Sequence, residues 1–281
     1  MAHVKKPDWL KIRLGTTERF SETKAIVESH CLHTICSSGR CPNMGECWER
    51  GTATFMIAGD ICTRSCKFCN TKTGKPLPLD PAEPENVARS VRLMSLKHAV
   101  ITSVDRDDLP DMGATHWKNT ILKIKEYNPD TTIEVLIPDF QGQKNLIDEV
   151  CSANPDVISH NMETVRSLTP QVRSAAKYDV SLSVLKRTAE NGIKSKSGIM
   201  LGLGETMEEV YTLMDDLLSA DCDILTMGQY LQPTRKHLPV VEYIHPDKFA
   251  RLKETALKKG FKHVESGPLV RSSYHAEKIL M

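Results

Sequence analysis

The chain has 281 residues with 37 basic and 36 acidic side chains, a formal net charge of +1. That length can bury a large core in one α/β domain or two smaller ones, and the charge balance argues against a protein built chiefly to hold nucleic acid. No uncharged apolar stretch reaches the roughly 18 residues of a membrane span, and the start "MAHVKKPDWLKIRLG" lacks the apolar segment of a secretory signal, so a cytoplasmic enzyme is expected.

The first feature in chain order is a cysteine-rich region. Seven of the nine cysteines fall between Cys31 and Cys69. Clustering of this kind favours metal binding over disulfides, and the isolated Cys151 and Cys222 read as small core hydrophobes. "CSSGRCPNMGECW" carries Cys36, Cys41 and Cys47. The first strand candidate, "ATFMIAG" (53–59), leads into "CTRSCKFC" with Cys62, Cys66 and Cys69. The C-x3-C-x2-C spacing lets a loop wrap one face of a metal centre. Each triplet is one ligand short of a closed four-ligand site, and zinc with an open position is the alternative to an iron–sulfur cluster. From spacing alone, Cys31 is the natural fourth ligand of the first triplet.

Beyond a Pro-rich connector, β-like runs alternate with amphipathic helices. The predicted strands are 98–104, 131–137, 156–161, 196–202 and 223–231, with 261–267 a candidate for a short late one. Helical patterns occupy 82–95, 114–127, 143–152, 206–220 and 245–260, the last opening on Pro246 and stopping at Gly260. The rhythm is that of a mostly parallel sheet, either a barrel short of eight units or a doubly wound sheet. Both place the active site at the C-terminal strand ends. There "TSVDRDD", "SHNMET", "GLGET" and "QYLQPTRKH" collect the polar residues.

The second triplet, with Phe68 before its last cysteine, resembles the signature of the radical S-adenosylmethionine superfamily. The longer run "CSSGRCPNMGECWERGTATFMIAGDICTRSCKFCNTKTG" resembles the lipoyl synthase family, together with "ITSVDRDDLPDMGA", "SHNMETV", "SLSVLKRTAENG", "KSGIMLGLGET", "GQYLQPTRKHLPV" and "ESGPLVRSSYHAEK". The resemblance spans roughly residues 7–278. It implies an α/β fold, a partial (β/α)6 TIM-type barrel over residues 51–260. A cysteine-rich N-terminal extension (1–50) would precede it, and a C-terminal tail (261–281) would close over the mouth.

The resemblance further implies two [4Fe-4S] clusters. Cys62, Cys66 and Cys69 would hold one and leave an iron open for S-adenosylmethionine. Cys36, Cys41 and Cys47 would hold an auxiliary, sulfur-donating cluster. Its fourth ligand by resemblance is Ser273 of "RSSY" rather than Cys31, a weak ligand suited to an iron that must leave. The implied reaction inserts sulfur at C6 and C8 of an octanoyl chain on a lipoyl carrier domain or glycine-cleavage H protein, consuming two S-adenosylmethionine molecules. An external one-electron donor such as a ferredoxin or flavodoxin, and a cluster assembly or repair protein, are the implied partners. Thr102, Ser103, Asp105, Asn161, Glu163, Arg187, Gly202 and Gly204 are candidate S-adenosylmethionine contacts, with Arg187 facing the methionine carboxylate. A biotin-synthase-like sulfur-inserting enzyme fits less well because of the first triplet and "RSSY". A two-cluster electron-transfer protein would not need a βα cavity.

Overall fold

The computed structural model describes residues 6–11, 17–29, 33–274 and 276; Cys31 lies outside them. A 3-10 turn (Asp8–Leu10) and helix α1 (Glu18–Ser29) come first, followed by strand β1 (His33–Thr34), α2 (Ile35–Ser38) and α3 (Met44–Glu49). Then come β2 (Thr54–Ile57), the short strands β3 (Ile61–Cys62) and β4 (Lys72–Thr73), α4 (Glu83–Leu93) and β5 (His98–Ser103). The alternation continues with α5 (Ala114–Tyr127), β6 (Thr132–Leu136), α6 (Lys144–Cys151), β7 (Val157–Ser159), α7 (Thr169–Val172) and α8 (Tyr178–Glu190). It closes with β8 (Lys194–Leu201), α9 (Met207–Ser219), β9 (Ile224–Gln229), α10 (Pro246–Lys259) and β10 (His263–Gly267).

The main sheet has eight strands in the order β1-β2-β5-β6-β7-β8-β9-β10, with β1 antiparallel to β2 and every other contact parallel. Helices cover the outer face of the sheet, and the apolar residues of the strands turn toward them. Residues such as Phe55, Ile57, Ile101 and Val135 pack outward among the helices, in one core with Val87, Trp117 and Ile121. A second core joins Leu201, Met227 and Val264 to Leu213 and Phe249. Cys151 and Cys222 are buried as expected. The opposite face of the strands, including Thr54, Thr102, Glu134, Gly198 and Thr226, lines an interior cavity.

Local chemistry sets the helix ends. Thr206 and Glu209 form a reciprocal capping box on α9, and Gly260, at φ +124°, releases the chain after α10. The late 261–267 run enters the sheet as β10 beside β9. Beyond it the tail crosses the mouth. Gly228 is required there, because a Cβ would stand 2.1 Å from the Val270 carbonyl oxygen. Asn43 Nδ2 donates to the Leu269 carbonyl at 2.7 Å, and the Tyr274 hydroxyl reaches Glu46 at 3.2 Å, stitching the tail to the first cysteine segment.

Candidate active site

The C-terminal strand ends open into a cavity of about 540 Å³ whose wall includes Cys36, Cys41, Cys62, Cys66 and Cys69. Both cysteine loops therefore face one space. β3 and β4 pair in parallel, Cys62 opposite Thr73, and close the second cysteine loop at its base. The Thr63 N–H and hydroxyl both donate to the Asp105 carbonyl, at 3.1 and 3.0 Å, which ties that loop to the end of β5. The Arg64 and Asp105 N–H groups each point at the Cys62 sulfur from 3.4 Å. His237 Nε2 lies 2.9 Å from the Cys69 carbonyl, to which it donates.

In the first segment, the Thr34 hydroxyl caps α2 by accepting from the Ser37 N–H. The Cys41 N–H donates to the Cys36 carbonyl at 3.0 Å and the Cys47 N–H to the Asn43 carbonyl at 2.9 Å. Cys47 is not part of the cavity wall, but it lies close enough to Cys36 and Cys41 for their charges to interact.

The donor sets fit iron–sulfur clusters. Burial pushes the Cys36 and Cys62 thiols up to about 11 and the Cys47 and Cys66 thiols up to about 12, and it also raises Cys41. Such thiols become thiolates only when a strong cation binds them, unlike redox thiols activated by a low pKa. The buried Trp48 indole N–H faces the Cys36 sulfur and favours its thiolate, against the larger opposing effect of burial. Among the described residues no three His, Cys, Asp or Glu side chains converge enough for a single metal ion. Zn–S bonds of ~2.3 Å would require thiolates within about 4 Å of one another, whereas a multi-iron cluster holds its cysteines further apart.

Most of the other expected residues meet in the same cavity. Thr102, Ser103, Asp105, Asn161, Glu163 and Ser273 all line it. Burial pushes the Asp105 carboxyl up, a shift that Arg64 opposes. Asn161 Nδ2 donates to Glu163 Oε1 at 3.1 Å and to Ser272 Oγ at 2.7 Å, and its buried Oδ1 has no hydrogen-bond partner among the described residues. Glu163 adopts φ +65°, strain that is held by its backbone bonds to Gly198 and Met200 at 3.0 and 2.9 Å. Ser272 is engaged by Asn161, while no hydrogen bond holds the Ser273 hydroxyl among the described residues.

Three expected contacts lie elsewhere. Arg187 is on α8, where its guanidinium grips both oxygens of Asp148 at 2.6 and 2.7 Å and Glu190 at 2.9 Å; it does not line the cavity. Gly202 is packed beneath Gln229 and the Glu242 carbonyl, each 2.3 Å from where its Cβ would be, and Gly204 faces Val241. From "GIMLGLGET", it is Gly198, Ile199 and Met200 that reach the cavity.

The structure adds two arginines that carry no spacing signal. Arg64 is buried and bonds Asp107 at 2.7 Å through two nitrogens and Asp139 at 2.8 and 2.9 Å, pinning the cysteine loop to the ends of β5 and β6 together. Arg64 also holds Asp139 and Asp107 below the usual carboxylate range, against the opposing effect of burial. Arg173, also buried, donates through Nη1 to the Asn161 and Met162 carbonyls at 3.0 and 3.2 Å and to Ser181 Oγ at 3.2 Å. It thereby braces the kinked exit of β7.

The Radical SAM superfamily profile matches residues 56–217. In solved structures, the fold is similar to Streptococcus suis SuiB bound to S-adenosylmethionine (TM-score 0.60, 12% identity, covering 79% of this chain and 54% of that one). It is also similar to methylornithine synthase (TM-score 0.57, 12% identity, 92% and 85%). A curated lipoyl synthase from Parabacteroides distasonis is 72% identical over 276 residues, which is 98% of each chain. The chain belongs to the lipoyl synthase family of the radical SAM superfamily.

Proposed function

We propose that this chain is a lipoyl synthase that inserts two sulfur atoms, at C6 and C8, into an octanoyl chain held on a lipoyl carrier domain or glycine-cleavage H protein. The observation that carries the reading is the placement of two cysteine loops on one cavity at the barrel mouth. Cys62, Cys66 and Cys69 would hold the radical-generating [4Fe-4S] cluster, and Cys36, Cys41, Cys47 and Ser273 the auxiliary one. When bound, these clusters and two S-adenosylmethionine molecules supply an adenosyl radical and sulfide, chemistry that unactivated C–H bonds require.

The chain's own residues orient and shield. Arg64 keeps the cysteine loop rigid against two strand ends, so the reacting carbon and the radical source can be held within contact distance. Asp105, Asn161 and Glu163 offer acceptors for the ammonium and hydroxyl groups of S-adenosylmethionine. Val100, Leu136, Ile199 and Met200 provide an apolar wall for an alkyl chain. Tyr230 and Pro233, from the loop after β9, complete the cavity wall on that side.

In this reading residues 1–50 supply auxiliary ligands, 51–260 the barrel, and 261–281 the serine. A ferredoxin- or flavodoxin-type donor and a cluster repair protein serve it in the cytoplasm. The deciding experiment is mass analysis of an octanoylated carrier after anaerobic turnover with dithionite, where a gain of two sulfurs is expected. Reconstituted protein should hold about eight irons, two four-iron clusters. A content near four, or zinc without acid-labile sulfide, overturns the two-cluster reading. Replacing Cys62, Cys66 or Cys69 by Ala should abolish 5′-deoxyadenosine, whereas replacing Cys36, Cys41 or Cys47 should stop sulfur insertion and spare part of that cleavage.

A further inference from the structure

An acyl chain borne on a protein can reach the cavity only if the bearer's surface rests on the cavity rim. The rim on the side of the loop after β9 is cationic. Arg40, from the first cysteine segment, donates through Nη1 to the Pro233 carbonyl at 3.3 Å. Lys67 stands between Cys66 and Cys69, and its carbonyl accepts from the Leu238 N–H at 3.2 Å. Between those two anchor points the chain makes a tight turn. Gln232 Nε2 donates to the His237 carbonyl at 2.8 Å, Thr234 Oγ1 meets His237 Nδ1 at 2.9 Å, and the Lys236 N–H reaches Thr234 Oγ1 at 3.2 Å.

Arg235 and Lys236 form the exposed tip of this turn, and Arg40 and Lys67 are exposed beside it. None of the four has a carboxylate partner among the described residues. Away from the mouth, Lys186, Lys259 and Lys262 each stand beside an aspartate. The rim turn is also fixed to the machinery, because its His237 bonds the Cys69 carbonyl. Two cations on the turn and two beside it, none with a carboxylate partner among the described residues, make a patch whose field attracts an oppositely charged surface and sets its orientation.

We infer that Arg40, Lys67, Arg235 and Lys236 form a docking face for a protein domain that is acidic around its acylated lysine. The inference rests on the acyl-carrier reading above and identifies the part of the enzyme that recognises the carrier rather than the acyl chain. Contacts of this kind act mainly through long-range charge, so salt weakens them, with a screening length of about 10 Å at 0.1 M.

The test uses the full-length, anaerobically reconstituted protein and two octanoylated substrates, an acidic carrier domain and a short uncharged octanoyl-lysine peptide, with dithionite as reductant. The double variant Arg235→Glu/Lys236→Glu should raise the KM and Kd for the carrier about tenfold at low salt. The effect should shrink at 0.5 M salt, and kcat and KM for the peptide should not change. Lys258→Glu, an exposed position on α10 away from the mouth, should leave the carrier parameters unchanged. Unaltered carrier affinity, an equal change for the peptide, or an effect seen only when a protein reductant replaces dithionite would each overturn the docking face. If the wild type puts no sulfur on either substrate, the function reading itself fails. A salt-sensitive carrier Kd that the double variant abolishes would still support the face.

Discussion

Lys196→Met isolates the ion pair at the floor of the cavity. Lys196 on β8 and Glu134 on β6 point into the barrel across β7, with nitrogen–oxygen distances of 2.7 and 2.9 Å and side chains each 1% exposed. Burial works against the Glu134 carboxylate, but Lys196 and His98 hold its pKa below the usual range. Removing the lysine leaves that carboxylate, among the described residues, with only His98, whose Nε2 is 3.8 Å away. Breaking a buried pair from one side costs about 3–5 kcal/mol, whereas replacing both partners by apolar groups is often neutral. At roughly 2–4 °C per kcal/mol for a chain of this size, Lys196→Met should lower the thermal midpoint by about 10 °C. Lys196→Met/Glu134→Leu should recover most of the loss.

The sign of the pH effect follows from the same pair. In the wild type, the depressed Glu134 value supplies stability that is present above the unfolded Glu value of about 4.3 and is lost as pH falls through the folded one. In Lys196→Met the buried carboxyl escapes part of its penalty by taking a proton, so the variant's deficit should be larger at pH 8 than at pH 5. Unfolding followed by circular dichroism under anaerobic conditions, at matched cluster content, gives both readouts. A single variant that loses less than about 1 kcal/mol, or a double variant as unstable as the single, would refute the reasoning.

Other expectations are shorter to state. His160 Nδ1 donates to the Ile137 carbonyl at 2.9 Å, while Nε2 lies 3.0 Å from Ser181 Oγ and accepts from it. Burial and the Arg173 charge lower its pKa to about 4. Because the unfolded imidazole titrates near 6.5, stability present at neutral pH should fall by about 2 kcal/mol by pH 5. His160→Gln should flatten that slope in denaturant titrations. Arg64→Lys keeps one charge but cannot fork to Asp107 and Asp139 together, so it should lower the thermal midpoint and weaken cluster retention in iron assays. Ser272→Ala, which frees Asn161 Nδ2, should weaken S-adenosylmethionine binding in calorimetry with iron content unchanged. Ser273→Ala should instead lower auxiliary iron retention and leave S-adenosylmethionine affinity alone.

Much of the fold was legible in local pattern. The strands at 53–59, 98–104 and 223–231 and the helix at 245–260 appear where their apolar periods and Gly or Pro boundaries put them, because those signals act over a few residues. β1 was not foreseen: two residues long, it owes its pairing to the exposed edge of β2. The cysteines were legible by spacing. Arg187 was misplaced because a charged residue next to a helical block reads the same whether it faces the cavity or the helix exterior, and Asp148 decided the matter. Gly202 and Gly204 pack against Gln229, the Glu242 carbonyl and Val241, outside the cavity wall. Arg64 and Arg173 were not recognised as braces because their partners lie on other strands and loops.

Sequence alone determined the two thiol triplets, the βα rhythm and the polar strand ends, since each depends on spacing within one short segment. Tertiary structure decided that Cys36 and Cys41 share a cavity with Cys62, Cys66 and Cys69, and that Ser273 returns to it from the far end of the chain. Only packing can join those segments. The parallel sheet sets the strand ends side by side, and the close approach of Val270 to Gly228 with the Asn43–Leu269 hydrogen bond draws the tail across them.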